Sequence, residues 1–453
     1  MHREHATPVT LARCGHAAPR RTRRGRAGAG AGSAPPWGGA HARCRSLGID
    51  RPWHNARVKL ATRVLVVTTA IQIATAAAAL TLPSVAPLVA ADLALPPSMV
   101  GSYISLLYVG AALAALLGGG LVRRVGALRL SQWCLALAAL GLATGQWATV
   151  PLVALAAVVI GLGYGPVTPA SSELLARTTD PRRMGLVFSI KQTGVPAGTA
   201  LAGLVVPALA LWLGWRGAAL VIALACLLVA WAAQPLRARL DAERERDAPL
   251  NFAAARRALR VVARTAGLRV LAAVSFVYAA MQMCVSSFMV AYLVEEPGLP
   301  LVLAGLGLTV ANLAGVAGRI VWGVAADRLQ RPRALLALLG GAMALGSLAA
   351  AGVTANWPLA AVLAVCGVLG ATAIGWNGVY LAEVARVARP GEAGLATGGC
   401  LFFTFGGVVL GPWLFGVAER AAGSYVPSFV GAALVCAATG LWLALSRPPA
   451  DRG

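Results

Sequence analysis

Two cations interrupt apolar runs where a charge is costly. Lys191 lies in "GLVFSIKQTGVPAG" (185–198) and Arg319 in "ANLAGVAGRIVWGVAADRL" (311–329). Lys191 is one of only two lysines in a chain that otherwise uses arginine. At the centre of a bilayer such a charge costs roughly 2.5 to 3.5 kcal/mol, so it needs a partner, an aqueous cavity or a ligand. A guanidinium grips a carboxylate through two parallel N–H groups, and an ammonium acts as a point charge. Together they suit a small anion. Two bland readings stand beside this one: Lys191 snorkels toward an interface, and Arg319 caps backbone carbonyls or pairs with Glu173 or Glu383.

The elements that must hold these residues are membrane helices. Of 453 residues 58% are hydrophobic and 12% charged, with mean hydropathy +0.73, whereas soluble domains carry roughly 25% charged residues. Continuous apolar runs of bilayer length favour helices over an alternating barrel. Twelve spans are expected, near 64–90, 99–121, 129–148, 151–177, 184–212, 216–235, 268–294, 301–325, 333–353, 357–383, 393–418 and 426–446. The net charge of +23 is laid out by topology. Arginines follow spans 2, 4, 8 and 10, which makes those loops cytoplasmic and both termini cytoplasmic. The expectation is therefore a multi-pass, monomeric protein of a bacterial-type inner (plasma) membrane, with the lipid bilayer as surroundings and no nucleic-acid partner.

Residues 1–60 hold all five histidines and "RRTRRGRAGAGAGSAPPWGG", and read as a disordered basic cytoplasmic tail. The charged stretch 236–267 reads as a cytoplasmic linker between six-helix bundles at 61–235 and 268–447. The halves repeat. Shifted by 204, Tyr108, Gly119, Arg124 and Arg129 fall on Asn312, Gly323, Arg328 and Arg333. Shifted by 209, Arg177, Pro181, Gly185, Gly198 and Gly214 fall on Arg386, Pro390, Gly394, Gly407 and Gly423. The cysteines of the spans occur singly and have no metal-ligand spacing. No nucleophile with a His partner, metal cluster or phosphate-cradling loop is present, so neither an enzyme nor a cofactor is expected.

Six plus six helices, a charged middle loop and "GVAADRLQRPR" (323–333) resemble the major facilitator superfamily over about residues 60–447. In the family pattern of that loop Gly323, Asp327, Arg328, Arg331 and Arg333 match, and Gln330 replaces a second Gly. The first-half copy, "GGLVRRVGALR" (119–129), keeps Gly119 and Arg124 but puts Arg123 where the acid is usual. The resemblance implies two pseudo-symmetric six-helix bundles and a gate at these loops, made of Gly119, Arg124, Gly323, Asp327 and Arg328. Glu173 with Arg177, and Glu383 with Arg386, read as local ion pairs at the same gate.

Polar stripes at helical spacing mark cavity-lining faces. Gln72 on span 1, Gln282 on span 7 and Asn377 on span 10 are the cavity candidates, with Tyr108, Asn312 and Tyr380 beside them. Lys191 and Arg319 each lie about 12 Å from the cytoplasmic end of their helix at 1.5 Å per residue. In the family spans 5 and 8 meet, which implies that the two cations are neighbours. An intramembrane arginine at this place also resembles organic-anion and monocarboxylate carriers of the superfamily. The expected function is secondary transport of a small solute, an organic anion, by alternating access, with protons a candidate coupling ion. "GVPAGTALAG" (194–203) resembles an element of proton-coupled drug exporters, which keeps efflux as the alternative, and a non-transporting receptor as a third.

Overall fold

The computed structural model describes residues 50–94, 100–147, 149–242 and 252–446. By internal packing residues 56–453 form one compact unit; of the other, 1–55, only Asp50–Asn55 are described. The expected tail thus lies mostly outside the described residues, and its last part is helical, because the first helix starts at Asp50.

Among the described residues eleven helical stretches are long and apolar enough to cross a membrane. One of them, Pro181–Leu240, has 60 residues and would be about 90 Å long if straight, three times the hydrocarbon thickness. It is two spans. Gly214 breaks it with φ 67°, ψ 167°, backbone that a side chain disfavours. The reversal is visible on the first helix. Gly198 closes on Ile73 and Ala76, and the Cys226 thiol reaches the Ala74 carbonyl at 3.6 Å, although 28 helical residues would cover about 42 Å. Twelve spans follow: α1 (Asp50–Ser84), α2 (Val100–Val125), α3 (Ala127–Thr144), α4 (Val150–Thr178), α5 (184–213), α6 (215–232), α7 (Ala266–Glu295), α8 (Leu301–Leu329), α9 (Pro332–Ala351), α10 (Leu359–Val387), α11 (Ala393–Ala422) and α12 (Val426–Leu445).

The repeat extends to backbone conformation. Gly423, the counterpart of Gly214, also has positive φ, 66°, at the end of α11. Equivalent acids staple each half at the end remote from the arginines. Asp92 accepts from the Trp215 indole at 2.7 Å and from Arg216 at 2.8 Å. Shifted by 204, it becomes Glu296, which accepts from Ser424 Oγ and Tyr425 N, both at 2.6 Å. The Trp215 hydrogen bond, with Arg216's charge, holds the Asp92 carboxyl below the usual carboxylate range.

The charged segment 236–267 is partly helical. It contains an amphipathic helix, Phe252–Arg264, that buries Ala258 and Val262 and exposes Arg256, Arg257, Arg260 and Arg264. Gly399 on α11 gives room for the Ala258 carbonyl.

Candidate functional site

Lys191 and Arg319 are buried, 1% and 2% exposed, so neither snorkels. The Lys191 ammonium donates to Gln72 Oε1 on α1 at 2.6 Å, to Gln192 Oε1 at 3.0 Å and to Thr168 Oγ1 on α4 at 3.3 Å. All three acceptors are neutral. Arg319 donates through Nε to the Ile374 carbonyl on α10 at 3.0 Å and through Nη1 to the Gln192 carbonyl. It therefore caps carbonyls, and among the described residues Glu173 and Glu383 pair with Arg177 and Arg333 instead. Gln192 joins the two cations: its side chain takes the ammonium and its backbone the guanidinium. Their charges are close enough to interact.

Sequence explains why those carbonyls are free. The Gln192 carbonyl would ordinarily accept from the N–H four residues on, but that residue is Pro196, which has none. The helix is also interrupted at Thr193. On α10, Gly370–Ile374 is a π turn, a widening that loosens the carbonyl ladder. Trp322 Nε1 donates to the Ala371 carbonyl there at 2.7 Å, one turn along α8 from Arg319. A proline on one half and a π turn on the other thus present carbonyls to one guanidinium.

The other candidates divide. Gln72 is in the network, and Gln282 and Asn377 meet each other, Asn377 Nδ2 donating at 2.8 Å. Tyr108 packs edge-on to Tyr164, with centroids 6.2 Å apart, and lies 5.8 Å from Phe405 of α11, an aromatic cluster shared by both halves. Tyr164 is near enough to Arg319 to feel its charge. Asn312 is exposed and donates to Leu308's carbonyl on its own helix at 3.0 Å, outside the Lys191 network. Tyr380 is buried in the second bundle against Trp376, centroids 5.1 Å apart. No group of three or more His, Cys, Asp or Glu side chains among the described residues could hold a metal.

At the arginine-rich end the halves are latched together. Asp327 on α8 accepts from the N–H groups of Gly185 and Leu186 at 2.7 and 2.8 Å, capping α5, where the helix dipole favours an anion. Arg386 reaches Asp327 at 3.6 Å and donates to the Pro181 carbonyl at 2.9 Å. In the first half, where Arg123 replaces the acid, Glu173 supplies the equivalent cap. Its Oε2 accepts from Gly394 N, the counterpart of Gly185, at 2.8 Å, and its Oε1 pairs with Arg177 at 2.8 Å. The expected Glu383–Arg386 pair is replaced: Glu383 faces Arg333 at 3.7 Å, because Arg386 turns to Asp327. Gly119 admits the Leu395 backbone of α11, and Gly323 admits Gly185 and Ser189 of α5. Arg124 and Arg328 stand exposed in the last turns of α2 and α8.

This architecture agrees with the sequence comparison. A sequence model of the Major Facilitator Superfamily matches residues 67–412. The chain belongs to the major facilitator superfamily. No curated protein matches it significantly. Among solved superfamily structures it is similar to the E. coli fucose:proton symporter FucP, with 17% identity, TM-score 0.70, and 85% of this chain and 98% of that one covered. It is likewise similar to the human organic anion transporter MFSD10, with 17% identity, TM-score 0.71 and coverage of 84% and 99%. The proton:xylose symporter XylE follows, at 15% identity, TM-score 0.65 and coverage of 86% and 97%. As a member of the superfamily the chain is a multi-pass membrane transporter. Its arginine-rich loops carry the segments that resemble the superfamily's loop pattern, and Glu173 caps α11 in the half where Arg123 stands in place of the acid.

Proposed function

We propose that the protein is a secondary transporter of a small organic anion, working by alternating access across a bacterial-type inner membrane, with the arginine-rich end cytoplasmic. The observation that carries the substrate class is the burial of Lys191 and Arg319 side by side with only neutral partners. Two cations in low dielectric repel. A carboxylate entering between them would relieve that repulsion and replace amide and carbonyl acceptors with a charged one. The contribution of Gln72, Gln282, Asn377 and Tyr108 is polarity and stacking surface around that anion.

Efflux of hydrophobic cations is a weaker reading, because Pro196, part of the exporter-like stretch, already has a local role in freeing the Gln192 carbonyl. Proton coupling is left to a titrating Lys191 or to a proton carried with the substrate. The deciding experiment is uptake of labelled carboxylates into proteoliposomes, with Lys191→Gln and Arg319→Gln beside the unmodified protein. Accumulation of one carboxylate, abolished in both variants while each remains folded, is the expected result. Transport that survives both substitutions overturns the anion site.

A further inference from the structure

We infer that the cleft between α9, α10 and α12 at the arginine-rich end is a binding site for an anionic phospholipid. The cleft encloses about 1260 Å³. Its walls change character along its length. Leu338 and Leu441, 63% and 61% exposed, form the apolar part together with Ala337, Gly341 and Ala444, and the mouth carries Arg331, Arg333, Arg386 and Arg389. Two of those arginines have acids already: Arg333 faces Glu383 and Arg386 faces Asp327. Arg331 and Arg389 are exposed, and neither has an ion pair or side-chain hydrogen bond among the described residues. A site with an apolar trough ending in unsatisfied cations at a headgroup depth selects an amphiphile with a negative head. A phosphate would accept from both guanidiniums, and an acyl chain would cover Leu338 and Leu441.

The protein's own tails do not fit. Residues 447–453, which follow Ser446 in the sequence, carry two arginines and one aspartate among their side chains, and residues 1–49 carry Glu4 as their sole acid among many arginines. Both have the wrong sign. The substrate site is elsewhere, so the inference is independent of the anion reading.

The test is native mass spectrometry of the full chain in detergent, titrated with phosphatidylglycerol or with phosphatidylcholine of the same acyl chains. The intact protein should retain phosphatidylglycerol preferentially. Combined Arg331→Gln and Arg389→Gln should weaken that binding about tenfold or more, since each surface cation contributes about 1 kcal/mol. Leu338→Glu should weaken it separately, and Arg420→Gln, at the other end of the molecule, should leave it unchanged. Equal retention of both lipids overturns the inference, as does an equal loss in Arg420→Gln, displacement by inorganic phosphate, or binding that occurs only after removal of residues 447–453.

Discussion

Arg319 shows what a single side chain can be asked to do. Its fork spans two helices by reaching the Ile374 and Gln192 carbonyls in different directions, a geometry that an ammonium on a flexible stem cannot reproduce. Arg319→Lys should therefore keep the charge and lose one of the two bonds, lowering stability by about 2 kcal/mol and transport far more. Thermal unfolding and uptake measured on the same preparation separate those effects; retention of full uptake would show that charge alone matters. The two cations were legible in the sequence because charges stand out in apolar runs. Carbonyl capping of Arg319 was one of the readings, but which carbonyls serve was not legible. Every residue carries one, and the choice rests on whether the N–H four residues on exists. Pro196 was visible as a letter, but its consequence needs Arg319 to arrive from a distant part of the chain. Tyr380 shows what stripe spacing leaves out: its ring packs against Trp376, a contact that the spacing alone does not reveal.

At the level of elements, α5 is the helix whose irregularity matters. Pro196→Ala should restore an N–H that competes with Arg319 for the Gln192 carbonyl. Stability should rise by up to about 3 kcal/mol, the usual cost of an interior proline, and transport should slow because the guanidinium loses an anchor on the opposite half. Faster transport would contradict this account. The caps of α5 and α11 give a second case. The repeat predicted equivalent helix starts at Gly185 and Gly394, and both exist, yet their acids come from non-equivalent helices, Asp327 on α8 and Glu173 on α4. An acid need only reach the N–H groups, so Arg123 could displace the residue without displacing the function. Glu173→Ala should cost about 1 kcal/mol, as losing a helix cap does, and should loosen the α4–α11 contact specifically, read as faster amide exchange at the start of α11. The amphipathic helix Phe252–Arg264 escaped the reading of 236–267 as a linker because its arginines dominated the composition. The signal was there, in Ala258 and Val262 one turn apart on a single apolar face.

For the whole molecule the question is whether the halves move as bodies. At the arginine-rich end four contacts cross between halves: Asp327 to Gly185, Glu173 to Gly394, Gly119 to Leu395 and Gly323 to Ser189. Those at the other end, Asp92 to Trp215 and Glu296 to Tyr425, run within a half. That distribution describes a transporter shut at the arginine-rich end, with each bundle braced internally where it must swing free. Rocking of braced bundles makes a non-local prediction. Ser189 is fully buried between Gly323 and Gly378 on the α5 side of the gate, and Gly119 closes on Leu395 on the α2–α11 side. Gly119→Leu wedges only the latter contact, because nothing there can yield except the α11 backbone. If the bundles are rigid, the wedge must also part α5 from α8, and a cysteine introduced as Ser189→Cys should become reactive to a membrane-impermeant thiol reagent applied from the arginine-rich side. In the protein without the wedge the same cysteine should stay protected. Protection in both would mean that α2 and α11 yield locally, and alternating access would then have to be built from helix bending instead of rotation of the halves.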